Sequence, residues 1–143
     1  MSATADAAEQ NRQLAARLAL QQGWVVQELG WDEDCDETLR MAVEHATGSP
    51  LVDEDYDDVV DAVLLWWRDG DGDLVDALVD ALGPLADGGV IWLLTPKAGR
   101  SGHVEPSDIG EAAPTAGLQA TTSVAAAVDW SGTRLATPRS PRR

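Results

Sequence analysis

The chain has 143 residues, of which 44% are hydrophobic, and it carries a formal net charge of −15. This length and apolar content predict one globular domain with a packed core. Residues 28–87 hold nineteen acidic side chains against two basic ones, so this region would repel phosphate backbones and anionic membranes. We therefore expect neither nucleic acid nor a membrane as partner. The acidity indicates solubility, or else a surface for a basic protein partner or a cation.

Cysteine usage and hydropathy predict the compartment. Cys35 is the only cysteine, which excludes an intramolecular disulfide and argues against a thiolate metal site within one chain. The first twenty residues hold no continuous apolar run, and no stretch approaches the length that a bilayer requires. We expect a cytoplasmic protein with a disordered N-terminus at 1–8, a single α/β domain at 9–137 and a basic flexible tail at 138–143.

Apolar periodicity and turn residues predict alternating helices and strands. Helix starts are assigned to acidic or hydroxyl caps, which are Asp32 or Asp34, then Asp71 or Asp73, and then Ser107 or Asp108. The first predicted elements are a helix at 9–22, a strand at 24–29, a helix at 33–46, and strands at 51–52 and 59–67. A helix at 73–86 follows, with residues including Val79 facing inward. The last elements are a strand at 90–95, a short helix ending near 114–117, and strands at 119–130 and 133–137.

Two turns and one buried run complete this pattern. Asp87–Gly89 is expected to turn into the strand at 90–95, and Ser131–Gly132 to close the final hairpin. The run at 59–67 is apolar on both faces apart from Asp61, as a parallel strand covered by helices on both sides requires. The fold class is therefore α/β: a Rossmann-like three-layer domain with a mostly parallel central sheet and a C-terminal antiparallel hairpin.

In such sheets a ligand binds beyond the carboxyl ends of the strands. Three cationic or titratable groups in the loop after the strand at 90–95 favour a small anionic ligand. The alternative is that they pair with the chain's own acidic residues. Trp31 is the better candidate for stacking on a ligand, because core packing is the favoured explanation for Trp66 and Trp67 in the strand at 59–67. The candidate crevice residues are Trp31, Asp32, Trp67, Arg68, Lys97, Arg100 and His103.

The run DGDGD at 69–73 resembles the opening of a calcium loop, which would use Asp69, Asp71 and Asp73. The positions that should hold Gly and a terminal Glu are instead Leu74 and Asp80. A turn followed by a helix cap is the favoured interpretation, and no metal site is assigned.

The sequence offers no catalytic constellation that spacing can support. Cys35 lies near a predicted helix start but among carboxylates, which oppose thiolate formation. The two histidines, His45 and His103, belong to separate elements, so no nucleophile and base can be paired. We therefore assign no catalytic residue and no cofactor.

Two resemblances extend this interpretation. Residues 12–139 resemble a family of small acidic proteins of GC-rich bacteria classed as a domain of unknown function, through GWVVQELGWDED (23–34), LVDEDYDDVVDAVLLWWRDGDGDLVDAL (51–78), GGVIWLLTPKAGRSGHVEPSDI (88–109) and DWSGTRL (129–135). That likeness implies no established activity. The order of the later elements, and VQELG at 26–30, resemble S-adenosylmethionine-dependent methyltransferases, whose first motif has further glycines where this chain has Trp31, Asp32 and Glu33.

The hypothesis that follows is a non-catalytic binding or regulatory module that acts through protein contacts or a small bound ligand. The alternative is a divergent methyltransferase-like enzyme with a site lined by Trp31, Asp32, Asp53 and Lys97, where Asp53 or Glu54 would serve the ribose. A protein partner is expected, and the oligomeric state stays open.

Overall fold

The computed structural model describes residues 13 and 16–137. A single five-stranded sheet is flanked by three named helices. In chain order the elements are β1 (Val26–Leu29), α1 (Glu37–Thr47), β2 (Val60–Trp66), α2 (Leu74–Leu82), β3 (Leu85–Pro96), α3 (Pro106–Thr115), β4 (Gln119–Ala125) and β5 (Trp130–Ala136). Within the described residues, none of the helices is both long enough and apolar enough to cross a membrane.

The sheet is mixed, with strand order β1-β2-β3-β5-β4. The pairs β1/β2 and β2/β3 are parallel, whereas β5 runs antiparallel to both of its neighbours. The α/β class is confirmed, but the expectation of a mostly parallel sheet is corrected, since only two of the four pairings are parallel. β5 is inserted between β3 and β4, so the two strands of the predicted hairpin are adjacent.

The chain changes direction across the sheet between β1 and β2. Val52 makes an isolated parallel bridge to Gln27 of β1, and Gln27 also pairs with Val63 of β2. Val52 must therefore lie on the outer side of β1, where the predicted strand at 51–52 is reduced to this one bridge. From β1 the chain goes outward to Val52 and then returns to the other side to form β2. The space beyond the carboxyl ends of β1 and β2 is thus the position where open α/β sheets bind ligands.

Successive side chains of the central strands point to opposite faces of the sheet, so both faces are apolar. Helices cover each of them. In β2, Val63 and Leu65 belong to an apolar cluster that includes Leu78 of α2 and Ile109 of α3. On the opposite face, Leu64 and Trp66 lie in a second cluster with Leu18 and with Leu39 and Val43 of α1. This alternation fixes which residues of each strand can reach the crevice at its end.

The first two predicted helices have different bounds from those expected. Helical geometry ends at Leu18 rather than residue 22, and Ala19 follows with a φ of 55°. Residues 9–12, 14 and 15 of this prediction, and the termini at 1–8 and 138–143, lie outside the described residues. α1 is capped by Asp36, which accepts the Leu39 N–H at 2.8 Å, and not by Asp32 or Asp34. The reason is a turn in which the Cys35 N–H donates to the Asp32 carbonyl at 3.1 Å.

The segment from α2 to β3 is also corrected. Asp73 caps α2 as one alternative predicted, but the helix ends at Leu82, and Val79 is 50% exposed. β3 begins already at Leu85, so Asp87–Gly89 lies inside the strand and not in a turn before it. Between the pairs Val60/Leu85 and Ala62/Val90 the register shifts, which shows that this segment bulges out of the strand instead of reversing it.

The last elements differ in their caps and their turn. α3 begins after Glu105 with Pro106 in its first turn, and neither Ser107 nor Asp108 caps it. β4 ends at Ala125, so the reversal occurs at residues 126–129, and Ser131–Gly132 lies within β5. The cause is Trp130, which is 3% exposed and packs edge-on against Trp66 at 4.8 Å between ring centroids. A turn at Ser131–Gly132 would have carried this ring away from the core.

Candidate functional site

The crevice begins where β1 and β2 approach each other. Gly30 follows β1 with a φ of +77°, and a Cβ at this position would overlap the carbonyl oxygen of Trp66 at the end of β2. Only glycine meets both conditions, because other residues rarely adopt this φ and carry the atom that would clash. The close approach leaves two strand-end carbonyls, those of Gly30 and Trp66, side by side.

The side chain of Arg68 fills the space in front of these carbonyls. Its Nη1 donates to the Gly30 carbonyl at 3.0 Å and lies 3.4 Å from that of Trp66. Its Nε and Nη2 donate to the two carboxylate oxygens of Asp34 at 3.0 and 2.6 Å. The guanidinium carbon lies 5.3 Å from the ring centroid of Trp130, so the cation is also stacked on an aromatic face. The Arg68 side chain is 16% exposed and lies at the ends of both strands.

The pair formed by Arg68 and Asp34 stays ionised over a wide pH range. The hydrogen bonds from Arg68 lower the pKa of the Asp34 carboxyl, and burial opposes this effect only in part. The same bonds raise the pKa of the Arg68 guanidinium. Asp71 adds a weaker contact to Arg68 at 3.4 Å, and the Asp34 carbonyl accepts the indole N–H of Trp130 at 3.2 Å. These contacts tie the loop after β1 to β2 and β5.

Cys35 lies beside this ion pair as a neutral thiol. Its Sγ accepts the Asp32 N–H at 3.2 Å and lies 3.4 Å from Nη2 of Arg68. Burial raises the pKa of the Cys35 thiol to about 11, although Arg68 acts in the opposite direction. A thiol with this pKa is protonated at neutral pH and is therefore a weak nucleophile.

A second ion pair lies on the α1 face of β1, and reasoning from the sequence missed it. The carboxylate of Glu28, 8% exposed, accepts Nε and Nη2 of Arg40 at 2.7 and 2.8 Å. It also accepts the indole N–H of Trp66 at 2.9 Å. These bonds raise the pKa of the Arg40 guanidinium, whose carbon lies 5.9 Å from the ring centroid of Trp31. An acidic residue inside a buried strand was the available signal, because it requires a charged partner.

Trp31, Asp32 and Trp67, the other candidates at the ends of β1 and β2, have surroundings that differ from those of the Arg68 side chain. Trp31 is 53% exposed, with Arg40 over its ring. Asp32 is exposed, and its carboxylate accepts the N–H of its neighbour Glu33. Trp67 is partly buried against the cluster that contains α2 and α3. Of these candidates, Arg68 is the one that the structure places in the crevice.

The three candidate side chains of the loop after β3, Lys97, Arg100 and His103, have different surroundings. Arg100 pairs with Asp129 at 3.1 Å. The ring of His103 contacts the Pro96 carbonyl at 2.9 Å through Nδ1 and Glu105 at 3.6 Å through Nε2. The contact of Arg100 is with an acidic residue, as in the pairing alternative, whereas the shortest contact of His103 is with a backbone carbonyl. Lys97 differs, because it lines a cavity of about 330 Å³ together with Gln13, Arg17, Asp36, Thr38, Ala125, Ala127 and Val128.

The acidic residues considered for the ribose and for calcium have other roles. Asp53 accepts the N–H of Asp55 through its carboxylate, and Glu54 lines a second cavity of about 560 Å³ together with Asp80 of α2 and the turn that follows this helix. Asp71 accepts the Arg68 N–H, and Asp73 caps α2. In the part of the chain that the structure describes, no three His, Cys, Asp or Glu residues are grouped to hold a metal ion.

The chain is similar in structure to solved methyltransferases with a Rossmann-like fold. The chain superposes on the pyocyanin biosynthetic protein PhzM with a TM-score of 0.62 and 15% identity, covering 92% of this chain and 56% of PhzM. It also superposes on magnesium protoporphyrin IX methyltransferase (ChlM) from Synechocystis PCC 6803, a structure with bound SAM. The TM-score is 0.55 and the identity 11%, and the match covers 93% of this chain and 78% of ChlM. The chain thus spans little more than half of PhzM, and identities this low establish the fold alone.

Sequence comparison identifies the family. The model of the family described as "Protein of unknown function (DUF3052)" matches residues 15–139, so the chain belongs to this family. It is 56% identical over 137 residues to the uncharacterized proteins Mb2263c of Mycobacterium bovis and Rv2239c of Mycobacterium tuberculosis, covering 96% of this chain and 86% of each relative. Both resemblances predicted from the sequence are confirmed.

Proposed function

We propose that this chain is a non-catalytic binding protein of the cytoplasm, built on a methyltransferase-type sheet whose ligand crevice is closed by its own Arg68. The observation that carries the proposal is the contact of one guanidinium with Gly30 at the end of β1, with Trp66 at the end of β2 and with Asp34. A nucleoside ligand at the strand ends would need the volume that this side chain occupies.

Opening the crevice would be costly. If Arg68 moved away, the Gly30 carbonyl and the Asp34 carboxylate would each lose a charge-assisted hydrogen bond. The bond to the Gly30 carbonyl is worth about 1.5–3 kcal/mol. The bond to Asp34 is worth about 1 kcal/mol or less, because 54% of the Asp34 side chain is exposed and water screens the attraction. A ligand would have to recover this free energy from its own contacts, which favours the closed form.

The groups around Arg68 also lack the properties that group transfer requires. Asp34 is an ion-paired carboxylate with a lowered pKa, and Cys35 is a thiol with a raised pKa. A general base works best with a pKa near the working pH, and a thiol attacks as its thiolate. Neither group meets these conditions.

Trp31 provides a surface for protein contacts beside the closed crevice. Its ring is half exposed, and Arg40, itself held by Glu28, lies over it. Exposed aromatic side chains that are already fixed in place are frequent anchors of protein interfaces, because little side-chain entropy is lost on binding. We therefore place the partner surface at the loop that follows β1.

Two experiments test the proposal. Purified protein mixed with labelled adenosylmethionine and a cell extract is expected to give no methyl transfer beyond the extract alone, while an active methyltransferase added to the same extract gives signal.

In capture from native cells, Trp31→Ala is expected to lose a partner that the wild type retains. Met41→Ala removes another half-exposed apolar side chain, on α1, and is the matched control. Protein-dependent methyl transfer would overturn the proposal.

A divergent methyltransferase is the second candidate, and the likeness to ChlM with bound SAM favours it. In that case Trp31, Asp32, Asp53 and Lys97 would line the site, and Arg68 would swing out of the crevice when the cofactor enters. The transfer assay separates the two candidates directly.

A further inference from the structure

We infer that the cavity beside Lys97 binds a small organic anion, with a carboxylate or phosphate group held by Lys97 and Arg17 and an apolar part lying on the turn between β4 and β5. This inference rests on the proposed function, since it names the class of ligand that a binding protein of this shape would take. The cavity, of about 330 Å³, has the size of a site for a small ligand.

Two cationic side chains from distant parts of the chain line this cavity. Lys97 directly follows β3 and is anchored by its backbone N–H, which donates to the Asp129 carbonyl at 2.9 Å. Arg17 comes from the N-terminal segment, and its Nη1 donates to the Ala125 carbonyl at 3.0 Å. This bond positions the guanidinium at the cavity, and a guanidinium carries five N–H donors, enough for an anion as well as a carbonyl.

Apolar residues of the turn between β4 and β5 explain why the ligand should be organic. Ala125, Ala127 and Val128 line the cavity, and Val128 is 81% exposed. Among the described residues of the lining, Asp36 is the one with a carboxylate, and its Oδ1 already accepts the N–H of Leu39. Cationic side chains next to this apolar turn match a molecule with an anionic head and a short apolar body.

Isothermal titration of the whole chain with three related probes tests the class of ligand. Phenyl phosphate and benzoate carry the two candidate head groups on the same ring, and phenol is their neutral counterpart at pH 7. We expect phenyl phosphate or benzoate to bind at least tenfold tighter than phenol, because a charge-assisted contact contributes about that factor. The tighter of the two identifies the head group. Equal affinity for phenol, or no saturable binding of either anion, would overturn the inference.

Lys97→Gln keeps the backbone contact to Asp129 and removes the charge. It should weaken binding of the tighter anion about tenfold. Arg134→Gln removes the same charge from β5, where the Arg134 side chain contacts Thr121, and should leave affinity unchanged. Equal losses in both variants would show a general charge effect and would overturn the assignment of Lys97. None of these titrations measures methyl transfer. A failure to bind either anion would overturn the inference about the cavity, whereas the methyl-transfer assay decides the non-catalytic proposal separately.

Discussion

Arg68 and Asp34 form a bidentate ion pair across the carboxyl ends of β1 and β2, with nitrogen to oxygen distances of 3.0 and 2.6 Å. The two residues are far apart in sequence, and the pair holds the loop after β1 over the end of β2. Arg68 also donates to the Gly30 carbonyl, so the same guanidinium links the end of β1 to the loop that follows it, and this contact carries the proposed closure of the crevice.

Asp34→Asn should lower the free energy of unfolding by about 1 kcal/mol or less, since 54% of the Asp34 side chain is exposed and water screens part of the attraction. Urea unfolding measures this change. Asp87→Asn, at an exposed position of β3, removes one negative charge from the same acidic chain and serves as the control. A gain of stability in Asp34→Asn larger than in the control would show that the pair is not attractive.

The contribution of this pair should depend on pH in a defined direction. Arg68 lowers the pKa of Asp34 in the folded chain below its usual 3.8, so the unfolded chain takes up the proton first as pH falls. The stability that wild type has over Asp34→Asn should be constant between about pH 5 and 7 and should decline below about pH 4. Unfolding curves of both proteins across this range check it. A difference that grows in acid would contradict the assignment.

Glu28→Gln should be more damaging, with a loss of about 2–3 kcal/mol, because it weakens two charge-assisted bonds to Arg40 at a buried position. Glu37 contacts the same Arg40 but is 66% exposed. Glu37→Gln should therefore cost about 0.5 kcal/mol or less. Equal effects of the two substitutions in urea unfolding would mean that burial of Glu28 has no energetic role.

Gly30→Ala should prevent stable folding or cost clearly more than Gly48→Ala. The two glycines have nearly the same φ, +77° and +78°, but an added Cβ meets nothing within 4 Å at Gly48 and overlaps the Trp66 carbonyl at Gly30. Backbone strain alone accounts for about 1–2 kcal/mol at either position. The difference in melting temperature measures the close approach of β1 and β2, and similar values for the two variants would show that this approach is not required.

Cys35 should react slowly with thiol reagents. A pKa of about 11, against 9.0 for a free thiol, reduces the thiolate fraction at pH 8 roughly a hundredfold. The measurement is the rate of reaction with Ellman's reagent for the folded protein and for the same protein in urea. If the folded protein reacts as fast as the unfolded one, Cys35 is an activated thiol, and the account of its burial is wrong.

The central strands could be predicted from the sequence because residues 62–66 of β2 and 90–94 of β3 are continuous apolar runs, as buried parallel strands require. The position of Arg68 at the crevice also followed, since it lies just beyond β2. Its partner could not be predicted, because nineteen acidic residues in residues 28–87 were equally available and only the fold selects Asp34.

The errors arose where tertiary contacts outweighed local preference. Ser131–Gly132 has the composition of a turn, yet burial of Trp130 beside Trp66 places it inside β5. Asp32 and Asp34 are good helix caps, yet Asp34 is held by Arg68 and Asp36 caps α1 instead. The cavity at Lys97 depends on Arg17 and on the turn between β4 and β5, which are too distant in sequence to be associated beforehand.

The closed crevice is the central claim, and titration calorimetry with S-adenosylhomocysteine tests it most directly. This product carries the adenosyl group of the cofactor without its reactive methyl, so it reports on the pocket alone. The account predicts no saturable heat at millimolar concentrations for the wild-type chain. Binding with one-to-one stoichiometry, accompanied by loss of the contact between Arg68 and Asp34, would contradict it.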